Sequence, residues 1–313
     1  MTQQLPPAIF VMGPTAAGKT DLAVDLAAEL PVDLISVDSA LVYRGMDIGT
    51  AKPEPGILRR APHALVDICE PEDAYSAARF REDALQEMKK ITEKGRIPLL
   101  VGGTMLYFRA LEQGLSKLPP SDPQVRERLQ QRMNVEGMAS LHALLEQQDP
   151  VAAGRIHAND PQRILRALEV IELTGQPMSL LQAQNQGSRL PYRVIKLVRA
   201  PREREVLHER IQRRFQTMLE LGFEEEVRGL MARPGFSPER PSMRAVGYRQ
   251  MIDYLLGRLN YEEMCERGVI ATRQLAKRQF TWLRREQDAN WLDEESGDLL
   301  SRALKVIEQK GLL

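Results

Sequence analysis

Only two cysteines occur in 313 residues, Cys69 and Cys265, and neither stands in a C-x-x-C pair. A disulfide framework and a structural zinc site are both disfavoured by that scarcity. No apolar run approaches the ~20 residues of a membrane span, and the opening Met1-Thr2-Gln3-Gln4 lacks the basic region of a signal peptide. A cytoplasmic protein is expected. Internal repeats and low-complexity tracts are absent too. Net charge is missing as well, because 43 basic side chains balance 43 acidic ones, and an average of zero argues against a nucleic-acid partner. The distribution argues otherwise. Between Arg267 and Arg285 lie Arg273, Lys277, Arg278 and Arg284 with no acidic residue, while acidic residues gather in Glu224-Glu225-Glu226 and Asp293-Glu294-Glu295. The basic run reads either as a solvated helix face or as a surface for a polyanion.

What is present begins at Gly13-Pro14-Thr15-Ala16-Ala17-Gly18-Lys19-Thr20, a G-x-x-x-x-G-K-[ST] run. It follows the apolar Ala8-Ile9-Phe10-Val11-Met12 and precedes a helical pattern from Asp21, which is the strand, loop and helix setting of a phosphate cradle. Glycines let the loop curl so that successive N–H groups face inward, and the helix N-terminus adds positive potential. Lys19 would meet the terminal phosphate, and the Thr20 hydroxyl would sit on a magnesium ion bridging phosphate oxygens.

Strands are expected at residues 8–12, 33–37, 97–101 and 193–198, with helices at about 19–29 and 76–94 between the early ones. Continuous apolar strands alternating with helices imply an α/β fold with a parallel sheet covered on both faces. Residues 116–189 show three helix signals and no strand, so they read as a helical insertion between two parts of a core, 1–115 and 190–313. After the fourth strand the pattern is mostly helical, to a long helix at 261–286.

An ATP-hydrolysing motor needs an acidic pair closing an apolar strand. Here the third strand closes on Gly102-Gly103-Thr104 instead, so transfer from a bound phosphate compound to a second substrate is the better reading. Asp38 leaves the second strand at the carboxyl edge, where ligands of such sheets bind. Its carboxylate either accepts a proton from an incoming nucleophile or caps the turn with Ser39.

Several segments together resemble the bacterial tRNA dimethylallyltransferase (tRNA isopentenyltransferase) family. They are Ser36 to Pro53, Gly102 to Tyr107, Asp160 to Val170, Val246 to Gln250 and Thr272 to Gln279, in family order along nearly the whole chain. Many members carry Gln where this chain has Leu41, which leaves that contact open. The resemblance implies transfer of a dimethylallyl group from dimethylallyl diphosphate to N6 of the adenosine just 3′ of the anticodon, in tRNAs that read codons beginning with U and without consuming ATP; a monomer is expected. Asp38 would be the base, with Thr104 and Lys19 as further catalytic groups. The diphosphate would lie on Gly13, Pro14, Thr15, Ala16, Ala17, Gly18, Lys19 and Thr20, with Arg214 as a second cation, a role its neighbour Arg213 could equally fill.

The tRNA would be met by Asp38, Ser39, Ala40, Leu41 and Thr104 around an extruded base. The flanking nucleotides would be met by Arg126, Gln162, Arg163, Ile164, Leu165 and Arg166, with Ile164 and Leu165 also suited to pack inward. Met243, Arg244, Ala245, Val246, Gly247 and Tyr248 would supply sugar-phosphate contacts and stacking, and Lys277 and Arg278 backbone contacts. Each arginine alone reads as well as a surface ion pair. Two other classes stay open on the residues alone: a small-molecule kinase using ATP, and a non-catalytic RNA-binding module.

Overall fold

The computed structural model describes residues 5–184, 188–293 and 298–312. Glu294 and Glu295 of the second acidic cluster lie outside them, as do Thr2 to Gln4.

Among the described residues, six parallel strands form one sheet in the order β3-β2-β4-β1-β5-β6. They are β1 Pro7–Met12, β2 Val32–Val37, β3 His63–Ala64, β4 Ile97–Gly102, β5 Arg193–Arg199 and β6 Ala289–Leu292. The four expected strands are present. Both edge strands, β3 and β6, are additions to the sequence reading: the first spans two residues, and the second follows a region expected to be helical.

The two-residue period of a strand sorts β1 onto two faces. Ile9 and Val11 join Leu22, Leu26, Leu99, Leu197 and Ile307 in one buried cluster. Phe10, on the other side, meets Phe108 with ring centroids 5.0 Å apart. Helix Ala77–Glu93 covers the sheet with Phe80, Ala84, Met88 and Ile91, spaced three or four apart, and starts where Ser76 accepts from the Arg79 N–H at 3.2 Å.

The chain divides into two compact units, Met1–Leu111 with Pro191–Leu313, and Glu112–Leu190. The second is all helical among its described residues and has its own core of Val125, Leu129, Leu141, Leu145, Ile156, Ile164, Leu165 and Leu168. Three of its helices start on aspartate caps followed by proline: Asp122 accepts from Gln124 and Val125 N–H, Asp149 from Ala152 N–H, and Asp160 from Arg163 N–H. Proline at the first helical position loses no hydrogen bond, because that N–H has no partner inside the helix.

Candidate active site

Register decides which residues meet at the carboxyl edge of the sheet. Met12 is level with Gly102 and with Val198, and Val37 is level with Gly102. Four neighbouring strands therefore end in one row, and Asp38, Gly103, Gly13 and Arg199 lie side by side where the chain leaves it. Close packing there demands glycine: a Cβ on Gly13 would strike the Arg199 carbonyl, and one on Gly102 the Val37 carbonyl.

The phosphate loop turns through two left-handed residues, Ala16 at φ 62° and Gly18 at φ 79°. Gly18 is tolerant of that conformation, whereas Ala16 holds it at a cost in strain. Helix Lys19–Glu29 follows directly, so the cradle sits on a helix N-terminus. Lys19 Nζ donates to the Pro14 carbonyl at 2.7 Å. Its pKa is lowered to about 8, first by burial and then by the positive charge of Arg214, against an opposing pull from Asp38. Burial lowers the pKa of Arg214 too, and Asp38 again opposes. Two desolvated cations thus share one carboxylate, an excess of positive charge suited to an anionic ligand.

Arg214 extends from helix Arg204–Glu220 and donates to the Thr50 carbonyl at 3.3 Å, while its neighbour Arg213 is exposed. Of the two arginines, then, the structure brings Arg214 into the field of Lys19 and Asp38. Asp38 Oδ1 accepts from the N–H groups of Ala40 and Leu41 at 2.8 and 3.3 Å. That is the capping geometry the sequence allowed, and it orients the carboxylate while Oδ2 accepts nothing from the described residues. Thr104 Oγ1 accepts from the Ser39 N–H at 3.1 Å and donates to Ser39 Oγ at 3.5 Å, tying the second and fourth strand ends together.

Two further residues belong to this site that the sequence reading did not assign. Glu226, counted there only in an acidic cluster, accepts from the N–H groups of Asp47, Ile48 and Gly49 at 2.8, 2.6 and 3.1 Å and from the Tyr248 hydroxyl at 2.6 Å. It fastens the loop that ends at Thr50, the anchor of Arg214. Gln279 accepts from the Thr15 N–H and donates to the Gly103 carbonyl, both at 2.9 Å.

The residues expected at RNA divide by exposure. Arg244, Lys277 and Arg278 are exposed in the first unit, and Arg126, Gln162 and Arg163 in the second. Ile164 and Leu165 are buried in the helical core, and Met243 is buried as well. Tyr248 requires a correction: its ring is fully buried edge-on to Phe223, with centroids 5.1 Å apart, so it stacks on protein rather than on a base. Gly247, at φ 94°, is the cap of helix Tyr248–Leu255, and Ala245 and Val246 are half-buried. Arg166 is also committed inward, donating to buried Glu169 at 2.7 Å and to the Pro119 carbonyl at 2.5 Å. Glu169 in turn accepts from Ser121 Oγ at 2.6 Å and the Asp122 N–H at 2.9 Å. That ion pair holds the entry to the first helix of the unit.

No group of histidine, cysteine and carboxylate ligands suited to a metal is present among the described residues, nor any helix long and apolar enough to cross a membrane.

Residues 41–286 match the family model described as IPP transferase. The chain is 57% identical to a tRNA dimethylallyltransferase of Nitrosococcus oceani, over 97% of this chain and 96% of the relative. Among solved structures it is similar to the full-length tRNA isopentenylpyrophosphate transferase of Bacillus halodurans, at 36% identity and TM-score 0.70 over 99% of both chains. It is also similar to a eukaryotic dimethylallyltransferase acting on tRNA, at 26% identity and TM-score 0.76, over 98% of this chain and 78% of that one.

Proposed function

The chain belongs to the IPP transferase family, and from that membership we propose that it moves the dimethylallyl group of dimethylallyl diphosphate onto N6 of the adenosine just 3′ of the anticodon. Its substrates are tRNAs that read codons beginning with U, and it acts as a monomer in the cytoplasm. The observation that carries this reading is that two desolvated cations on helices, Lys19 and Arg214, act on the carboxylate of Asp38 where it leaves the row of strand ends.

The donor set fits a diphosphate. The loop supplies backbone N–H groups, a helix N-terminus and Lys19, and the surplus cationic charge is relieved when a polyanion enters. Magnesium fits through the Thr20 hydroxyl, because this ion accepts one protein oxygen together with phosphate oxygens and water. When bound it neutralises part of the leaving group's charge.

In the reaction the bond between the donor's allylic carbon and its diphosphate oxygen breaks as the bond from N6 to that carbon forms. The loop N–H groups, Lys19 and Arg214 take up the charge developing on the diphosphate. N6 loses its proton to Asp38, whose position is fixed by the Ala40 and Leu41 N–H groups. Thr104, bonded to Ser39, borders the same mouth and contacts the extruded base.

The test supplies magnesium, radiolabelled dimethylallyl diphosphate and unmodified tRNA, and follows label into RNA. Label that disappears when the target adenosine is replaced by guanosine supports donor and acceptor together. Label-free RNA with folded, tRNA-binding protein returns the chain to the kinase reading. Asp38→Asn lowers turnover by about 10² to 10⁴ with donor affinity retained if the aspartate is the base.

A further inference from the structure

We propose that Gln279 is a positioning residue that sets the spacing between the phosphate loop and the Thr104 loop, an inference that rests on the reaction proposed above. Gln279 stands on the long helix Tyr261–Leu283 and is almost fully buried, with 8% of its surface exposed. Its amide makes two bonds to two different catalytic loops. The carbonyl oxygen accepts from the Thr15 N–H and the NH₂ donates to the Gly103 carbonyl, each at 2.9 Å. The orientation of the amide is unambiguous, because a backbone N–H only donates and a backbone carbonyl only accepts.

Glutamine is the side chain this place requires. A bridge between a donor and an acceptor must carry one of each, at the two tips of one planar group. Asp or Glu lacks the donor when ionised, Lys and Arg lack the acceptor, and a hydrocarbon lacks both. The amide also occupies the space beside Gly103, where a Cβ would stand 2.5 Å from its nitrogen. The loops it joins carry the two sides of the chemistry. Thr15 lies in the diphosphate cradle, and Gly103 precedes Thr104, which is bonded to Ser39 beside Asp38. One buried side chain therefore links the loop assigned to the leaving group with the loop beside the assigned base. Because the bridge uses the Thr15 N–H, that group is a fixed strut of the loop rather than one of its phosphate donors.

The experiment compares wild-type protein with Gln279→Met and Gln279→Glu, measuring kcat, the KM for dimethylallyl diphosphate, the dissociation constant for tRNA and the thermal midpoint. Methionine fills the space without either hydrogen bond. Expected for Q279M is a fall in kcat of about 10- to 100-fold, the range set by small misplacements of reacting groups, with tRNA affinity unchanged. Expected for Q279E is a pH signature. The introduced carboxyl group, buried against a carbonyl, has a raised pKa. Ionised, it repels the Gly103 carbonyl; protonated, it can donate to that carbonyl and accept from Thr15 again. The ratio of Q279E to wild-type kcat should therefore rise as pH falls from about 8 to about 6. A purely structural role would lower the thermal midpoint without that rise.

A wild-type kcat preserved in Q279M, or a Q279E ratio flat across pH in folded protein, overturns the positioning role. Wild-type protein that transfers no label at all overturns the function proposal instead, so the two failures are distinguishable. Should Q279M fail to fold, the pH ratio of Q279E decides alone.

Discussion

The Tyr248 hydroxyl donates to Glu226 at 2.6 Å, and the same carboxylate gathers three consecutive backbone N–H groups, those of Asp47, Ile48 and Gly49. A side chain from one helix thereby caps a loop nearly 180 residues earlier, and a second helix supplies the hydroxyl that completes it. Removing the hydroxyl leaves the carboxylate with its backbone partners. Tyr248→Phe is expected to cost about 1–2 kcal/mol of stability and Glu226→Ala about 2–4 kcal/mol, both read from urea unfolding. The tRNA dissociation constant should not change in Tyr248→Phe, since its ring is buried. A variant of full stability that loses tRNA affinity would put Tyr248 back at the RNA.

The depressed pKa of Lys19 sets a pH dependence of donor binding. Below about 8 the ammonium is charged and attracts the diphosphate; above that value the free protein loses the proton and the attraction with it. Affinity for dimethylallyl diphosphate should fall as pH rises through about 8, approaching tenfold per unit at the steepest. Calorimetric titration in two buffers of different ionisation enthalpy would register the accompanying proton uptake.

Stability should move the opposite way. A lysine whose folded pKa lies below its unfolded value penalises the charged folded state, so the unfolded chain binds more protons between about 8 and 10.5 and stability rises with pH across that window. Lys19→Met removes the penalty. Without ligand it should raise the thermal midpoint by roughly 1–3 °C, about 1 kcal/mol at this size, while abolishing transfer. A lower midpoint would mean that the bond to the Pro14 carbonyl outweighs the burial of charge.

Exposed Lys277 and Arg278 should act through phosphates and therefore through salt. Replacing both with alanine is expected to weaken tRNA binding and to reduce the slope of log affinity against log salt by about 1 to 2. An unchanged slope between ~50 and ~200 mM salt would remove this helix face from the docking surface.

Packing around the capped loop is testable at Gly49. A Cβ there would enter the rings of Phe223 and Tyr248, so Gly49→Ala should destabilise by about 1–3 kcal/mol through overpacking. The loss should shrink, without vanishing, in a background where Phe223 is shortened to Leu, because the Tyr248 ring still meets the added methyl.

The central strands and the phosphate loop were legible in the sequence because their signals are local: continuous apolar runs, a glycine spacing, a lysine opening a helix. The edge strands were not. His63–Ala64 spans two residues, and Ala289–Leu292 alternates a polar Asn290 with an exposed Trp291, so neither carries the apolar run that marked the other four. Family motifs pointed to Tyr248 and Gln279 without saying which way either faces. Tyr248 turns inward because Phe223 and Glu226 receive it, and Gln279 because Thr15 and Gly103 lie against its helix, partners 264 and 176 residues distant. Glu226 was hidden by its neighbours: three glutamates opening a helix already have a sufficient explanation in the helix dipole. Arg166 is a different case, an arginine that matches an RNA motif and is also bonded to a buried glutamate.

The Leu190 N–H donates to the Glu112 carbonyl at 3.0 Å, so the helical unit begins and finishes at a single point. Such a side branch is sewn shut at its base. Lengthening it adds only a logarithmic entropy cost, and its hydrophobic cluster is self-contained. Natural variation can therefore enlarge, trim or exchange this appendage while the sheet bearing the chemistry keeps its register, and replacement of the whole excursion by a short turn is the deletion this architecture tolerates best.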